Sequence, residues 1–419
     1  MKKILFTIQW YPPRRSANAL CDNKIIQELL KTGEYEIHCL SYKTKQMPCK
    51  EIINGVYIHR FSPGRYFDFY LKFREKQSKF GNLLNKIILR LKQIITIPIY
   101  PCYEPIVALK FAKVAKKLHK QELFDIVISE HNGFDSLYAG YKLKKKDRRI
   151  KYISIFWDSL SGGFPAKYLP KSYELYKKKK WENRILKLSD KAIAMKSHEK
   201  LLMKTWGNTE NYKKFSFLDI PYLVKVFNRT ADNETFINKD MITFVFAGSI
   251  SRRNPQYLIE LLAHLPRNDI EFWIICDSRS FDKYNFLLEK YDFLKLHHYI
   301  SHQELSDVFL NADFMVNFGV NNPNAISGKI FDYMSYGKPI ISTYYIDNEA
   351  CLPYLKKYPM GLCIDERKPI EETITELQVF IEKSLGKTVA FADVKKVFPL
   401  NLPESYVQVI DEVLGSRNE

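Results

Sequence analysis

The densest grouping of residues able to do chemistry is FMVNFGVNNPNAISGKIFDYMSYGKPIIS, residues 314–342. An apolar run ends at Phe318, a loop rich in Gly, Asn and Pro follows, and a helix is predicted to begin near Asn324 to Ser327. A helix start gathers unpaired backbone amides and positive dipole charge, so Ala325 through Gly328 suit a diphosphate. Gly328 permits close backbone approach, and Lys329 adds a mobile cation. Asp332 follows about one turn later on the same face, where a carboxylate can accept bonds from two vicinal hydroxyls, as on a ribose. Singly, Asn324 or Ser327 reads equally as an N-cap, and Lys329 with Asp332 as a surface ion pair. The succession of strand, loop, helix start, Lys, Asp and the Gly337-Lys338-Pro339 exit favours a binding site.

Three further places carry candidates. MITFVFAGSISRRNPQYLIELL places Gly248 and Ser249 after a strand and Arg252 and Arg253 just beyond, although Arg253-Asn254-Pro255 also reads as a helix start. In QWYPPRRSANALCDNK, the small residues Ser16, Ala17 and Asn18 open a helix. His131 and Asp158 stand beyond successive strands in DIVISEHNG and ISIFWDSLSGG. Either alone is commonly a loop cap; on neighbouring strand ends they read equally as the lining of a cleft.

These residues need a scaffold, and the pattern supplies one. Apolar strand-like runs alternate with helical periodicity, which predicts parallel sheets covered by helices. Strands are read at 3–9, 35–40, 56–61, 124–129, 150–156 and 191–195, with helices at 17–32, 106–120, 134–145, 172–188 and 197–204. The pattern restarts at 241–248 and continues through EFWIIC, KLHHYI, FMVNF, KPIIS and GLCID. This predicts a first domain over 1–224, a polar linker over 225–240, a second domain over 241–398, and a C-terminal helix and tail over 399–419 that either caps its own domain or crosses back to the first.

Composition narrows the class. The 419 residues are 46% hydrophobic and 27% charged, which suits two globular cores better than one. No run reaches the roughly 18 apolar residues of a membrane span, and the N-terminal apolar stretch is too short for a signal peptide, so a cytoplasmic protein is expected. Seven scattered cysteines without C-x-x-C spacing predict reduced thiols, with neither a disulfide framework nor a zinc site. Residues 1–230 hold 46 Lys and Arg against 20 Asp and Glu, a balance of +26, leaving 19 against 27, or −8, in the remainder. Within the basic half, residues 65–100 combine eight Lys or Arg with many aromatic and aliphatic side chains. Such a basic amphipathic segment either lies in an anionic membrane interface or packs on the first domain. Nucleic-acid binding is not expected, because no recognition module accompanies the dispersed basic residues.

The segment 314–342 resembles the donor site of the retaining GT-B glycosyltransferases known as glycosyl transferases group 1 or family 4. Members typically carry two glutamates before a Gly-x-Pro; aligned on Gly337 and Pro339, these fall on Asn324 and Asp332. The resemblance implies that Asp332 binds the ribose, that Asn324 hydrogen-bonds the donor sugar, and that Lys329 faces the diphosphate, as in an exopolysaccharide and capsule branch. It further implies that Gly248, Ser249 and Arg252 or Arg253 adjoin the diphosphate, Ser249 standing where members usually have Arg. Tyr299 and Ile300 in YISHQEL would wall the base pocket, with His302 starting the next helix. Ser16, Ala17 and Asn18 replace the usual glycine loop, and His131 and Asp158 line the acceptor side.

The fold implied is α/β GT-B, two Rossmann-like doubly wound domains facing a cleft. The reaction implied moves a sugar, with retention, from a nucleotide-diphosphate sugar to a saccharide or lipid-linked acceptor in cell-surface polysaccharide synthesis. No cofactor is expected, and no Asp-x-Asp motif suggests a metal. The expected setting is peripheral, on the inner face of the membrane. The competing readings are a nucleotide-sugar epimerase and a non-catalytic GT-B partner or membrane-binding protein.

Overall fold

The computed structural model describes residues 1–13, 16–44, 46–64, 79–131, 133–162, 166, 168–226, 237–250, 253–322 and 326–415, with side chains of the first residues of the 79–96 helix left aside. Most of the 225–240 segment, all of 65–78, and the candidates Arg252, Asn324 and Ala325 lie outside the described residues. The chain forms two compact units: Met1–Pro221 together with Leu400–Glu419, and Tyr222–Pro399.

The first unit is an eight-stranded sheet ordered β3-β4-β2-β1-β5-β6-β7-β8. Its strands are β1 (Lys2–Thr7), β2 (Tyr35–Tyr42), β3 (Lys50–Ile53), β4 (Val56–Phe61), β5 (Ile126–Glu130), β6 (Lys151–Phe156), β7 (Lys191–Met195) and β8 (Phe215–Leu218). All pairings are parallel except β3 with β4, which form a hairpin closed by Asn54 and Gly55, both at positive φ. Helices α1 (Ala17–Lys31), α2 (Lys79–Thr96), α3 (Pro105–Glu122), α4 (Phe134–Lys146), α5 (Lys171–Leu188) and α6 (Glu199–Trp206) fill the connections.

Because helices cover both faces, the strands read as continuous apolar runs. Leu5, Leu40, Val127 and Tyr152 join Phe111, Leu137 and Ile185 of α3, α4 and α5 in one core. Period-two geometry turns Ile4 and Phe6 to the opposite face, where α1 lies against β2. The last helix, Pro403–Leu414, also packs here: the Tyr406 hydroxyl donates to the Asp219 carbonyl at 2.8 Å, and the Lys2 ammonium to the Leu414 carbonyl at 2.8 Å. The chain thus returns to its first unit.

The second unit is a six-stranded parallel sheet ordered β11-β10-β9-β12-β13-β14. Its strands are β9 (Ile242–Ala247), β10 (Ile270–Cys276), β11 (Leu294–His298), β12 (Phe314–Phe318), β13 (Ile340–Tyr344) and β14 (Gly361–Asp365). The intervening helices are α7 (Gln256–Ala263), α8 (Ser278–Tyr284), α9 (His302–Asn311), α10 (Lys329–Ser335), α11 (Leu352–Leu355), α12 (Ile370–Ser384) and α13 (Phe391–Val397), which makes the last helix of the chain α14. Phe244 stacks on Phe314 at 4.9 Å and Phe246 meets Phe318 at 4.8 Å, so aromatic pairs fix β9 against β12.

In both sheets the strand order reverses beside the first strand of the unit, between β1 and β5 and between β9 and β12. Doubly wound sheets open a crevice at the carboxyl ends of the strands at such a reversal. No helix of the described residues is long and apolar enough to cross a membrane.

At the first reversal two carboxyls are buried together. Asp22 of α1 has neither oxygen hydrogen-bonded, while Glu130, ending β5, accepts from the Trp157 indole at 2.9 Å and the Gln9 amide at 3.3 Å. Burial raises the pKa of both, and the charge of Glu130 raises Asp22 further. A carboxyl whose folded pKa exceeds its unfolded value binds more protons when folded, so its contribution to stability falls as pH rises from the ordinary carboxylate range towards neutrality. Glu130→Gln is expected to flatten that part of the fall in a melting-temperature series against pH. An unchanged slope would show that the burial of Glu130 does not govern this part of the pH dependence.

Candidate functional site

The crevice of the second unit forms where β9 and β12 end. Gly248 follows β9 at φ +148°, a conformation that favours glycine, and a Cβ there would stand 2.3 Å from Lys329 Cε and 2.5 Å from Nζ. The Lys329 side chain therefore lies across the glycine, joining two candidates that are far apart in the sequence. Gly328, just before it, is needed for another reason: a Cβ would meet the Tyr222 ring at 2.8 Å.

Arg253 completes the cationic group. Asn254 accepts from the Gln256 amide at 3.1 Å at the start of α7, as the helix-start reading expects, yet the Arg253 side chain turns into the crevice. Its guanidinium donates to Asn317 Oδ1 at 3.4 Å and Ser327 Oγ at 3.3 Å, and lies 5.7 Å from the centre of the Phe246 ring. These partners are neutral. Desolvation lowers the pKa of Lys329, with repulsion from Arg253 adding to it and Asp332 opposing. Arg253 is likewise lowered by burial. Arg253 is held by neutral oxygens and Lys329 is partly desolvated nearby, so the two cations together could attract an anion.

The helix expected near Asn324 to Ser327 instead begins at Lys329, with Gly328 as its N-cap and no side-chain cap. The reason is long-range: the Ser327 amide donates to Cys351 Sγ at 3.2 Å, and its hydroxyl accepts from Arg253. Ser327 is thereby anchored in the crevice and unavailable as a cap, and side chains contribute more of the positive charge than the short helix start. Asp332 sits in the first turn of α10, half-buried. Gly337 ends the helix at φ +68°.

Around this group, exposed Ser249 follows Gly248. The adjoining Ile250 amide donates to Ser280 Oγ at 3.2 Å, and the Ser280 hydroxyl donates to Asp277 at 2.8 Å. Tyr299, 58% exposed, and half-buried Ile300 follow β11, and His302 opens α9 behind a Ser301–Glu304 capping box.

The sequence reading missed Asn317, whose amide nitrogen donates to Ser342 Oγ at 2.9 Å while its oxygen holds Arg253. It also missed Glu349, buried with one oxygen bound to the Cys351 and Leu352 amides at 2.8 and 3.2 Å and the other without a partner. Polar residues ending otherwise apolar strands, FMVNF and KPIIS, were the available signal for Asn317 and Ser342.

In the first unit, Ser16 N-caps α1 by accepting from the Ala19 amide at 3.1 Å, with Ala17 and Asn18 opening the helix. His131 follows β5, and its Nδ1 lies 2.6 Å from the Asp158 carbonyl oxygen. A carbonyl only accepts, so Nδ1 carries the proton and Nε2 is left as the acceptor. Burial lowers the His131 pKa, favouring this neutral form. The link to Asp158 runs through its backbone; the side chain is exposed. Beneath lie Glu130, Asp22 and Asp135, the last accepting from Gln9 at 2.7 Å and raised by burial to about 6.

Among the described residues, Glu36, His38 and Glu122 are spaced to hold a metal ion, but the Lys3 ammonium is 2.9 Å from Glu36 and 3.3 Å from Glu122. A fixed cation makes this an ion-pair cluster.

Gly248→Ala should displace Lys329 and force an unfavourable φ, destabilising the second unit by about 1–3 kcal/mol. Because a lysine end can swing aside, the loss of affinity for a nucleoside diphosphate is expected to exceed that of Ser249→Ala, which leaves the glycine intact. Calorimetric titration of the two variants compares them directly.

No protein-family model and no curated protein matches the chain. Solved structures match over essentially its whole length. OtsA in its apo form has a TM-score of 0.58 at 11% identity, covering 100% of both chains. UDP-GlcNAc 2-epimerase from Methanocaldococcus jannaschii has a TM-score of 0.56 at 11% identity, covering 98% of this chain and 100% of the other. S. aureus MnaA in its structure with UDP has a TM-score of 0.52 at 10% identity, covering 100% of this chain and 98% of the other. At such identities the likeness extends to the fold alone: the chain is an α/β protein of the GT-B fold, built on two Rossmann-like sheets.

Proposed function

We propose that the chain is a retaining glycosyltransferase that moves a sugar from a nucleotide-diphosphate sugar to a saccharide or lipid-linked acceptor in cell-surface polysaccharide synthesis. The observation that carries the reading is the pair of partly desolvated cations at the strand-order reversal, Lys329 lying across Gly248 and Arg253 held by Asn317 and Ser327. A leaving nucleoside diphosphate gains negative charge as the glycosidic bond breaks, and fixed cations stabilise that charge without reorganising. Asp332, one turn along α10, is the ribose ligand in this reading, and Tyr299 with Ile300 borders the base. Asn324 and Arg252 keep their expected roles beside the sugar and the diphosphate. On the acceptor side His131 presents its neutral Nε2 to an incoming hydroxyl, with the Asp158 loop holding the ring. The UDP in the S. aureus MnaA structure, on a shared fold, is compatible with the same ligand class here.

A peripheral membrane setting belongs to the same proposal. On α2, Ile87, Leu91, Ile94 and Ile95 are exposed at helical spacing, with Lys86 and Arg90 exposed beside them. An apolar stripe flanked by cations suits an anionic bilayer surface.

A thermal-shift panel of nucleotide sugars tests the donor, and product analysis with and without acceptor separates transfer from epimerisation. Lys329→Ala should lower the transfer rate by roughly 10²–10³-fold. If Asp332→Ala leaves both nucleotide binding and transfer intact, the site assignment is wrong; stabilisation without turnover of any kind would favour a non-catalytic partner. Diphosphate affinity should also weaken as pH rises through the depressed pKa of Lys329, because the neutral amine gives up the charge that the ligand favours. Lys329→Arg should keep its affinity to higher pH, which titrations across the alkaline range would reveal.

A further inference from the structure

The first unit carries a groove of about 310 Å³ bounded by the Ile97–Ile99 turn, α3, α4 and α5. Its deep surface is apolar: Cys102, Ala108 and Phe134 are buried there. Trp181 of α5 forms one wall, meeting Phe134 edge-on at 4.8 Å and Tyr138 at 5.9 Å. This rigid aromatic surface is prepared for an apolar ligand, at the lower end of small-molecule pocket sizes.

The rim has one sign of charge. Lys177, Lys180 and Arg184 recur at helical spacing along α5, and the Arg184 guanidinium lies 4.9 Å from the centre of the Trp181 ring. Lys177 donates to the Pro98 carbonyl and Lys180 to the Tyr176 hydroxyl at 3.2 Å, both neutral acceptors. Among the described residues no acidic side chain lines the groove. Outside it the apolar surface continues: Leu109 and Ile99 are exposed at its edge, Ile106 is 76% exposed, and Ile95 of α2 is 75% exposed. Exposed apolar side chains at the edge of a cation-rimmed cavity mark an interaction surface.

We propose that this groove receives one acyl chain of an anionic membrane phospholipid, whose phosphate is held by Lys180 and Arg184. The inference rests on the membrane part of the proposed function and gives it a lipid class and a seat. Charge selects the headgroup and the aromatic wall selects the chain. Joining the two signals gives a more stable anchorage than either supplies alone. A water-soluble sugar or nucleotide would leave the apolar floor unused, and a neutral lipid would leave three cations unneutralised.

The test uses the full chain and two forms of lipid. Dihexanoyl phosphatidylglycerol, kept monomeric, should change the tryptophan fluorescence saturably, and the change should vanish in Trp181→Phe. With vesicles of equal phosphatidylcholine and phosphatidylglycerol, lipids brominated on the acyl chain should quench wild-type protein but not the Trp181-dependent part in Leu109→Arg. Lys180→Glu with Arg184→Glu should weaken monomeric lipid binding roughly tenfold or more, with melting temperature unchanged because both side chains are exposed. Vesicle binding without Trp181 quenching or saturable monomer binding overturns the groove inference and leaves the membrane setting standing. Saturable binding of the monomer without vesicle binding does the reverse. Equal affinity for dihexanoyl phosphatidylcholine overturns the assignment of the phosphate to the rim cations.

Discussion

The approach of Lys329 to Gly248 is the contact on which the arrangement of the second unit's crevice depends. An ammonium brought out of water beside a guanidinium is costly, and neutral partners around Arg253 do not remove the cost. The arrangement persists because the surroundings hold it: aromatic pairs lock β9 against β12, Asn317 ties Arg253 to Ser342, and Ser327 is fixed by Cys351. At a strand-order reversal the flanking crossovers leave on opposite faces of the sheet, which opens a crevice at the strand ends where these groups lie. A bound anion would relieve the repulsion that the fold maintains, which is the physical basis for proposing a diphosphate there.

The net charge of each unit does not predict the sign of the charges it buries. The basic half buries the carboxyls of Asp22, Glu130 and Asp135 but also Arg60, Lys144 and Lys178, whereas the acidic half buries Glu349 and leaves Arg253 and Lys329 half-buried. Net charge counts mostly solvated side chains, so it reports on long-range attraction and surface partners. The crevices are decided by a handful of desolvated groups. The two measures describe different layers of one molecule, and the basic surface of the first unit belongs with its exposed apolar band on α2 and α3.

Much of the architecture was legible because doubly wound sheets write a simple pattern. Continuous apolar strands such as KILFT and ITFVFA alternate with helical periods, and Gly337 marks a helix end by a positive φ. The β3–β4 hairpin was passed over even though Asn54-Gly55 is a strong turn signal, because only the β4 strand was read as one. The start of α10 was placed too early, since nothing in the residue types reveals that Cys351, distant in sequence, takes the Ser327 amide. Long-range hydrogen bonds of this kind decide caps and are invisible to local patterning. Asp22 was detectable in principle: it occupies the apolar face of α1 with Ala19, Ile25, Ile26 and Leu29, where an unpaired carboxylate is out of place.

The return of α14 makes the first unit discontinuous along the chain. Tyr35 donates to Asp411 and Lys2 to Leu414, contacts spanning nearly the full length of the polypeptide. The second unit, Tyr222–Pro399, is contiguous. A ribosome delivering the chain from its N-terminus therefore supplies everything the second sheet needs while the first still lacks the helix that covers α1 and supports Trp157. The apolar face awaiting α14 stays open for the whole synthesis of an intervening unit, so the nascent protein has a long interval in which a chaperone can act on a sheet otherwise finished.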